Sequence, residues 1–578
     1  MPTGTIGYRT YARSAISGSS EDLFYPFLID PGLLVAGTNV LAVEIHQSDP
    51  DSSDISFDLA LWDSPPDELQ RGPYLQLGTD EGVRIRWRTF SPSDSVVWYG
   101  SAPGNLTQSV SVPGGVIEHD VGLTGLQADT LYYYAVGSSA GGILVGDDSD
   151  HFFRTHPVPG TSRPVRIWAL GDSGTANADA RAVRDAYQTY TGSVHTDLWL
   201  MLGDNAYENG EDVEYQLAVF ETYPEMLRKS VLWPTRGNHE NSSAVYYGNF
   251  SMPTQGQAGG VASGSEAFYS FDFANVHFIC LDSDATSRVV GGPMLTWLEN
   301  DLASTTQDWI VAFWHHPPYT KGSHDSDDDS DSSGRMRDMR QNVLPILEDY
   351  GVDLVLSGHS HSYERSFLID GHYGYSSSFD PPTMQLDGGD GRVGGDGAYQ
   401  KVFGPHAGTV YCVAGSSGKV SSSGSLNHPV MYSSQRRLGS LILEVDQLQL
   451  DLKFLDENGV VQDFFTLLTG DAPLVFSHTG LFAGFLTSLI VNGAGPGNDV
   501  YFLYSLTGNG PTQTQFGIMD LTMPVIQIGP VTANSQGQAV RTSMVPGPAA
   551  GKTVYLQALE WQGPGVGRFS NALTEVVQ

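Results

Sequence analysis

Basic residues are scarce in this sequence. Lys and Arg number 29 against 65 Asp and Glu, and the net charge is −36. Nucleic acids and anionic membranes are bound through basic patches, so this balance argues against both as partners. It also opposes the approach of a phosphate, unless a local cationic centre such as a metal ion overcomes the field. Cysteine is scarcer still: Cys280 and Cys412 are the two present. Both sit in apolar, strand-like runs and read as buried thiols, with a disulfide between them the less favoured reading. Two cysteines cannot build a Cys-based zinc site. No apolar run reaches the roughly 18 residues of a membrane-spanning helix. The opening Met1-Pro2-Thr3-Gly4 lacks the basic and apolar regions of a signal peptide. The residues after it read as mid-domain, so the sequence is expected to be a fragment whose true start is missing. Charged residues make up 16% while glycine numbers 67, which suits loop-rich β structure better than long surface helices. At 578 residues the chain is too long for one core, and several domains are expected.

Residues 1–64 hold two β-like runs, Val40–Ile45 and Ile55–Leu61. They resemble the closing strands of a galactose-binding-type β-sandwich and read as a packing module. Pro65-Pro66 marks a boundary. In residues 70–157, runs such as Val83–Trp87 and Ser95–Tyr99 alternate with Gly, Pro, Asp and Ser. Leu126–Tyr134 reads as a turn entering a strand with a tyrosine corner, which makes this a fibronectin-III-like sandwich. From 164 to 470 strands alternate with helices. Ala180, Val183, Ala186 and Tyr187 form one helical stripe, Leu295, Leu298 and Leu302 a second, and Met339, Val343, Ile346, Leu347 and Tyr350 a third, with Gly351 as its cap. The repeats Gly388-Gly389-Asp390-Gly391 and Gly394-Gly395-Asp396-Gly397 have no strand-to-helix context and read as a surface loop. Residues 474–578 are poor in charge, rich in Gly, Pro, Thr and Val, and read as a further β-sandwich.

The chemistry gathers between Val165 and Arg365. Three polar signatures follow apolar strands directly: Gly171-Asp172-Ser173-Gly174, Gly203-Asp204-Asn205-Ala206-Tyr207 and Gly358-His359-Ser360-His361. Two more are Gly237-Asn238-His239-Glu240 and the pair His315-His316. A Gly-Asp after a strand is usually a turn, and a lone His beside an apolar run is usually a satisfied core residue. Five such signatures in one α/β stretch are not chance. Polar residues just past the C-terminal ends of strands are the active-site layout of α/β folds. Together they supply two Asp, one Asn, one Tyr and several His, a ligand set for two metal ions.

This series resembles the five metal-ligand blocks of the calcineurin-like metallophosphoesterases, and within them the purple acid phosphatases. Tyr207 discriminates: most of the superfamily has no tyrosine there, and begins with Asp-x-His where this chain has Asp172-Ser173-Gly174. Tyr363-Glu364-Arg365 adds to the match, and Ala312 departs from it at a strand position where the family usually has Val. The resemblance implies a metallophosphoesterase α/β sandwich, β-sheets flanked by helices, behind the fibronectin-III-like domain. It implies that Asp172, Asp204, Tyr207 and His361 hold a first metal, expected to be Fe(III), and that Asp204, Asn238, His315 and His359 hold a divalent second, Zn, Mn or Fe. Asp204 bridges. A hard trivalent ion suits carboxylate and phenolate oxygens, and imidazole with a neutral amide suits a divalent one. Such a pair would activate a hydroxide for in-line attack on phosphorus. His239 and His324 are the expected proton donors to the leaving group. His316 and Asp325 read as supporting residues, and the acidic run Asp325–Asp331 as a solvated lid.

The expected function is therefore phosphomonoester hydrolysis of the acid phosphatase type, on a small-molecule phosphate ester. A phosphodiesterase on the same scaffold is the rival within enzymes. A surface-attachment protein with an inactive central domain is the rival from another class. The flanking β domains suggest an extracellular or cell-surface setting and attachment to a surface or polymer. Asn105, Asn241 and Asn249 open glycosylation sequons, which would matter in a eukaryotic secretory setting.

Overall fold

The structure, a computed structural model, describes residues 69–578 except 242, 471–473, 496, 535–536 and 564–565, together with 35 and 37–40. The two strands expected before residue 64 lie outside the described residues, apart from Val40. The chain divides into two compact units: one runs through Tyr399 and again over Gly408–Thr466, the other comprises Gln400–Ala407 and Leu467–Gln578.

The first unit begins with six hydrogen-bonded strands between Leu69 and Arg154. Two strands expected to be separate, Val83–Trp87 and Ser95–Tyr99, form one strand, Val83–Gly100. The Ser91-Pro92-Ser93 break is absorbed as shifts of register against the neighbouring strand rather than as a turn. Tyr132 accepts a hydrogen bond from the Gln127 N–H at 3.1 Å, which ties its strand to the preceding turn.

Two seven-stranded sheets follow. In the first, Gly439–Asp446, Val165–Leu170, Leu198–Leu202 and Val231–Thr235 are consecutive neighbours, and the last three run parallel. In the second, Val276–Cys280, Trp309–Trp314, Leu354–Ser357 and Val410–Ala414 are consecutive and all parallel. Every residue of Leu198–Leu202 and Trp309–Trp314 is buried. Continuous apolar runs of that kind are what a parallel sheet covered on both faces requires. Helix Ala178–Thr191 covers the first sheet; the Asn177 side chain caps it by accepting the Ala180 N–H at 2.9 Å. Its Tyr187 ring stacks on Trp168 at 4.3 Å.

Helix Pro293–Ser304 and the helical run from Arg335 to Asp349 pack a second apolar core with the other sheet. Met339, Val343, Ile346 and Leu347 are buried, but Tyr350 is exposed, against the expected stripe. The helix ends at Asp349, and Tyr350 is its C-cap residue with non-helical backbone, so it leaves the buried face. Cys280 and Cys412 are both buried and free.

In the second unit, a three-stranded and a five-stranded sheet share a core that includes Phe476, Val491, Val500, Phe502 and Ala558. No helix among the described residues is long and apolar enough to cross a membrane, which says nothing of β-barrels.

Candidate metal centre

The signatures meet where the C-terminal ends of the two parallel strand sets face one another. Val165–Leu170 leads to Asp172, Leu198–Leu202 to Asp204 and Val231–Thr235 to Asn238. From the other sheet, Trp309–Trp314 leads to His315 and Leu354–Ser357 to His359. Asp172, Asp204 and His359 adopt positive φ, at 56°, 52° and 66°. A non-glycine residue held there marks a backbone that its surroundings have forced. The glycine before each has a different task. A Cβ on Gly203 would lie 2.5 Å from His315 Nδ1, so only glycine lets that ring approach the strand end. The His359 N–H donates to Asp172 Oδ2 at 2.7 Å and locks the sheets together.

Seven side chains converge here, and their pairing is incomplete. His315 Nδ1 lies 2.9 Å from the Leu202 carbonyl. A carbonyl only accepts, so the proton sits on Nδ1 and Nε2 of the neutral ring offers a lone pair. That nitrogen faces Asn238 Oδ1 at 3.0 Å, His359 Nδ1 at 3.2 Å and Asp204 Oδ1 at 3.3 Å. Lone pairs aimed at lone pairs repel unless a second proton or a cation sits between them. Burial opposes charge on His315, but the Asp204 and Asp172 carboxylates outweigh it and hold the ring above its ordinary range. The same field would attract a metal cation.

The other half of the centre is oxygen-rich. The Tyr207 hydroxyl has one proton and two carboxylate neighbours, Asp204 Oδ2 at 2.9 Å and Asp172 Oδ1 at 3.1 Å. His361 Nε2 stands 3.4 Å from Asp172 Oδ1. Burial and the two carboxylates push the Tyr207 phenol well above its usual range, so only a strongly acidic cation could remove its proton. Asp172, Asp204 and His315 offer donor atoms close enough to share one ion. Acceptor-rich, buried and short of protons, the residues fit metal ions.

His239 and His324 lie at the rim, each with about a third of its side chain exposed. His239 Nδ1 faces the Glu208 carbonyl at 2.8 Å, and its ring meets Tyr207 edge-on. His324 stacks on His359 with ring centres 3.8 Å apart, and Asp331 Oδ1 holds its Nδ1 at 2.8 Å.

Further side chains surround these ligand candidates, and of them Ser332 and Lys419 belong to no motif. Glu240, at the end of the Asn238 signature, accepts the N–H groups of Gly237, Asn205 and Asp204 at 2.5, 2.6 and 3.2 Å, pinning two loops. Burial and the Asp204 charge push its carboxyl up to about 7. Ser332 reaches His359 Nε2 at 2.6 Å. Lys419 places its ammonium 3.8 Å over the Tyr207 ring, close enough for cation–π attraction. Only its place in Gly415-Ser416-Ser417-Gly418-Lys419, beside a strand end, could have flagged it. His316 turns Nδ1 to Ser283 at 2.9 Å, and Asp325 pairs with Lys321 at 3.0 Å. The run Asp325–Asp331 is pinned rather than merely solvated: Asp327 bonds Ser376 and Lys321, Asp329 bonds Tyr375, and Asp331 bonds His324. Asn249, one of the three sequon residues, is buried against Arg71 at 2.6 Å and closed to modification in the folded chain.

Residues 165–363 match the model of the calcineurin-like phosphoesterases, and residues 71–156 match that of the purple acid phosphatase N-terminal domain. Acid phosphatase type 7 of Mus musculus is 30% identical over 337 residues, which is 53% of this chain and 72% of that protein. The chain belongs to the purple acid phosphatase family. Purple acid phosphatase 18 of Arabidopsis thaliana is 26% identical over 360 residues, 58% of this chain and 74% of its own. A purple acid phosphatase from yellow lupin seeds has the same fold, with a TM-score of 0.56 over 69% of this chain and 75% of its own, at 18% identity. Membership makes the chain a metal-dependent phosphoester hydrolase, and this fold carries the pocket described above.

Proposed function

We propose that the chain hydrolyses phosphate monoesters at a two-metal centre, with Asp172, Asp204, Tyr207 and His361 holding Fe(III) and Asp204, Asn238, His315 and His359 holding Zn, Mn or Fe(II). The observation that carries this reading is His315, whose Nδ1 is taken by the Leu202 carbonyl and whose Nε2 faces Asp204 Oδ1, Asn238 Oδ1 and His359 Nδ1 together. Metal ions bound there would supply positive charge for a phosphate and acidity for a water molecule. The chain's own residues do the rest. Asp331 fixes His324 through Nδ1, and Nε2 of that ring has no partner among the described residues. His324 is therefore placed to hand a proton to a departing alkoxide, and His239, fixed through Nδ1 by Glu208, shares the rim. Lys419 adds a cation beside Tyr207 that favours a dianionic monoester over a monoanionic diester.

The same reading assigns residues 164–470 to the catalytic domain, 70–157 to a fibronectin-III-like domain and 474–578 to a separate sandwich. It sets the enzyme outside the cell or at its surface, a setting that rests on composition and kinship. The deciding experiment is the visible spectrum of aerobically purified protein with iron quantified, alongside rates on p-nitrophenyl phosphate and its bis ester. A broad visible band lost in Tyr207→Phe, with the monoester preferred, is expected. Bound iron without that band removes Tyr207 from the ligand set, and a preference for the diester replaces monoester by diester hydrolysis.

A further inference from the structure

Behind the loop that carries His324 lies a second group of buried polar side chains, outside the metal centre. Arg340 sits in the π-helical turn Met339–Val343, and its side chain has no exposure. Nη1 donates to the carbonyls of Pro318 at 3.1 Å and Ser326 at 2.7 Å. Nε and Nη2 have no hydrogen-bond partner and the guanidinium makes no ion pair among the described residues; the Tyr375 ring lies 5.8 Å from its Cζ. In a chain with 65 acidic residues, a buried cation without a carboxylate is conspicuous.

Two buried histidines accompany it. Neither ring nitrogen of His372 has a hydrogen-bond partner among the described residues, nor has Nε2 of His428. His428 Nδ1 accepts the Val430 N–H at 3.4 Å, so the proton of that ring is on Nε2. Tyr319 packs beside both, 5.5 Å from His372 and 5.4 Å from His428, and the imidazoles are 6.4 Å apart. Burial, with the nearby Arg340 charge, pushes His372 down to about 4 and His428 to about 3, so both are neutral. Asp327 is the acidic group that acts on all three, but its oxygens are taken by Ser376 and by Lys321 at 3.1 Å. The group therefore carries one full positive charge, and Arg340 Nε and Nη2, His372 and His428 Nε2 have no acceptor among the described residues.

We propose that Arg340, His372 and His428 form an internal site for a small monovalent anion of the halide class. A water molecule can accept these hydrogen bonds, but it leaves the guanidinium charge uncompensated. A halide satisfies both the donors and the charge. Its effect would reach the active site directly: the Pro318 and Ser326 carbonyls that Arg340 holds bracket the loop of Lys321 to His324. Anion binding thus stiffens the segment that presents His324.

The test is independent of which ester is hydrolysed. Crystals of metal-loaded protein prepared in gluconate are soaked in bromide and measured at the bromine edge. An anomalous peak within hydrogen-bonding distance of Arg340 Nη2 and His428 Nε2 is expected; ordered water there with no bromine signal overturns the proposal. In solution, replacing gluconate by chloride at equal ionic strength should raise the wild-type melting temperature by a few degrees. The gain should vanish in Arg340→Met, and an equal gain in that variant also overturns the site. Should Arg340→Met not fold, His428→Phe removes one donor and should weaken the chloride dependence at least about tenfold. An unchanged dependence there counts against the site, and the wild-type bromide measurement needs no variant.

Discussion

Two buried clusters in this protein each contain two aspartates and a histidine, and they behave oppositely. In one, His277 sits between Asp272 at 2.7 Å and Asp301 at 2.9 Å, one carboxylate for each ring nitrogen. A single added proton completes it, and although burial opposes the charge, the carboxylates lift His277 to about 9. In the other, His315 gives its Nδ1 to a backbone carbonyl and turns Nε2 toward Asp204, Asn238 and His359. That single nitrogen faces three polar groups where each nitrogen of His277 has one. Composition does not separate a structural triad from a metal centre; the count of donors against acceptors does.

The sharpest way to test that contrast is to change one member of each cluster. Asp204→Asn should lower phosphatase activity by more than the roughly 10²–10³-fold that loss of one preorganised charge-stabilising group costs. A fully active Asp204→Asn protein would erase the distinction. Next in size is His324→Asn, which should lower kcat roughly 10²–10⁴-fold while metal content, measured on the same sample, stays unchanged. Loss of metal in that variant would move His324 from proton donor to ligand support.

The smallest effect on activity is expected from His277→Gln, whose signature is stability. The folded pKa of about 9 exceeds the ordinary 6.5, so the charged ring stabilises the fold fully below pH 6.5. That stabilisation is lost as pH rises through about 9. The variant should therefore lose on the order of 3 kcal/mol at pH 6 and approach the wild type above pH 9, read from denaturant midpoints. Activity per folded molecule should not change. A pH-independent gap would show that the ring matters through packing alone.

Much of this was readable along the chain. The buried strands announce themselves as unbroken apolar runs, and helix Ala178–Thr191 carries its stripe. The misses have physical causes. Strand Val83–Gly100 runs through Ser91-Pro92-Ser93 because irregular pairing with its neighbour accommodates a break that local propensity forbids. Tyr350 is exposed because the helix stops at Asp349, one residue before the stripe does, and an apolar stripe does not mark its own last turn. Lys419 and Ser332 reach the centre from segments without a motif, since their roles come from contact and not from sequence neighbours.

The sequence by itself determined the residue types of the centre, their order along the chain and the strand ends that carry them. Short-range physics suffices for that, because a ligand needs only its side chain and a strand needs only its run of apolar neighbours. The tertiary structure alone decided which of those groups is left unpaired. His277 and His315 are indistinguishable as letters, and Arg340 reads as an ordinary basic residue on a helix. Whether each finds a carboxylate, a carbonyl or nothing depends on chain segments far away in sequence, brought together as both sheets and their helices close around them.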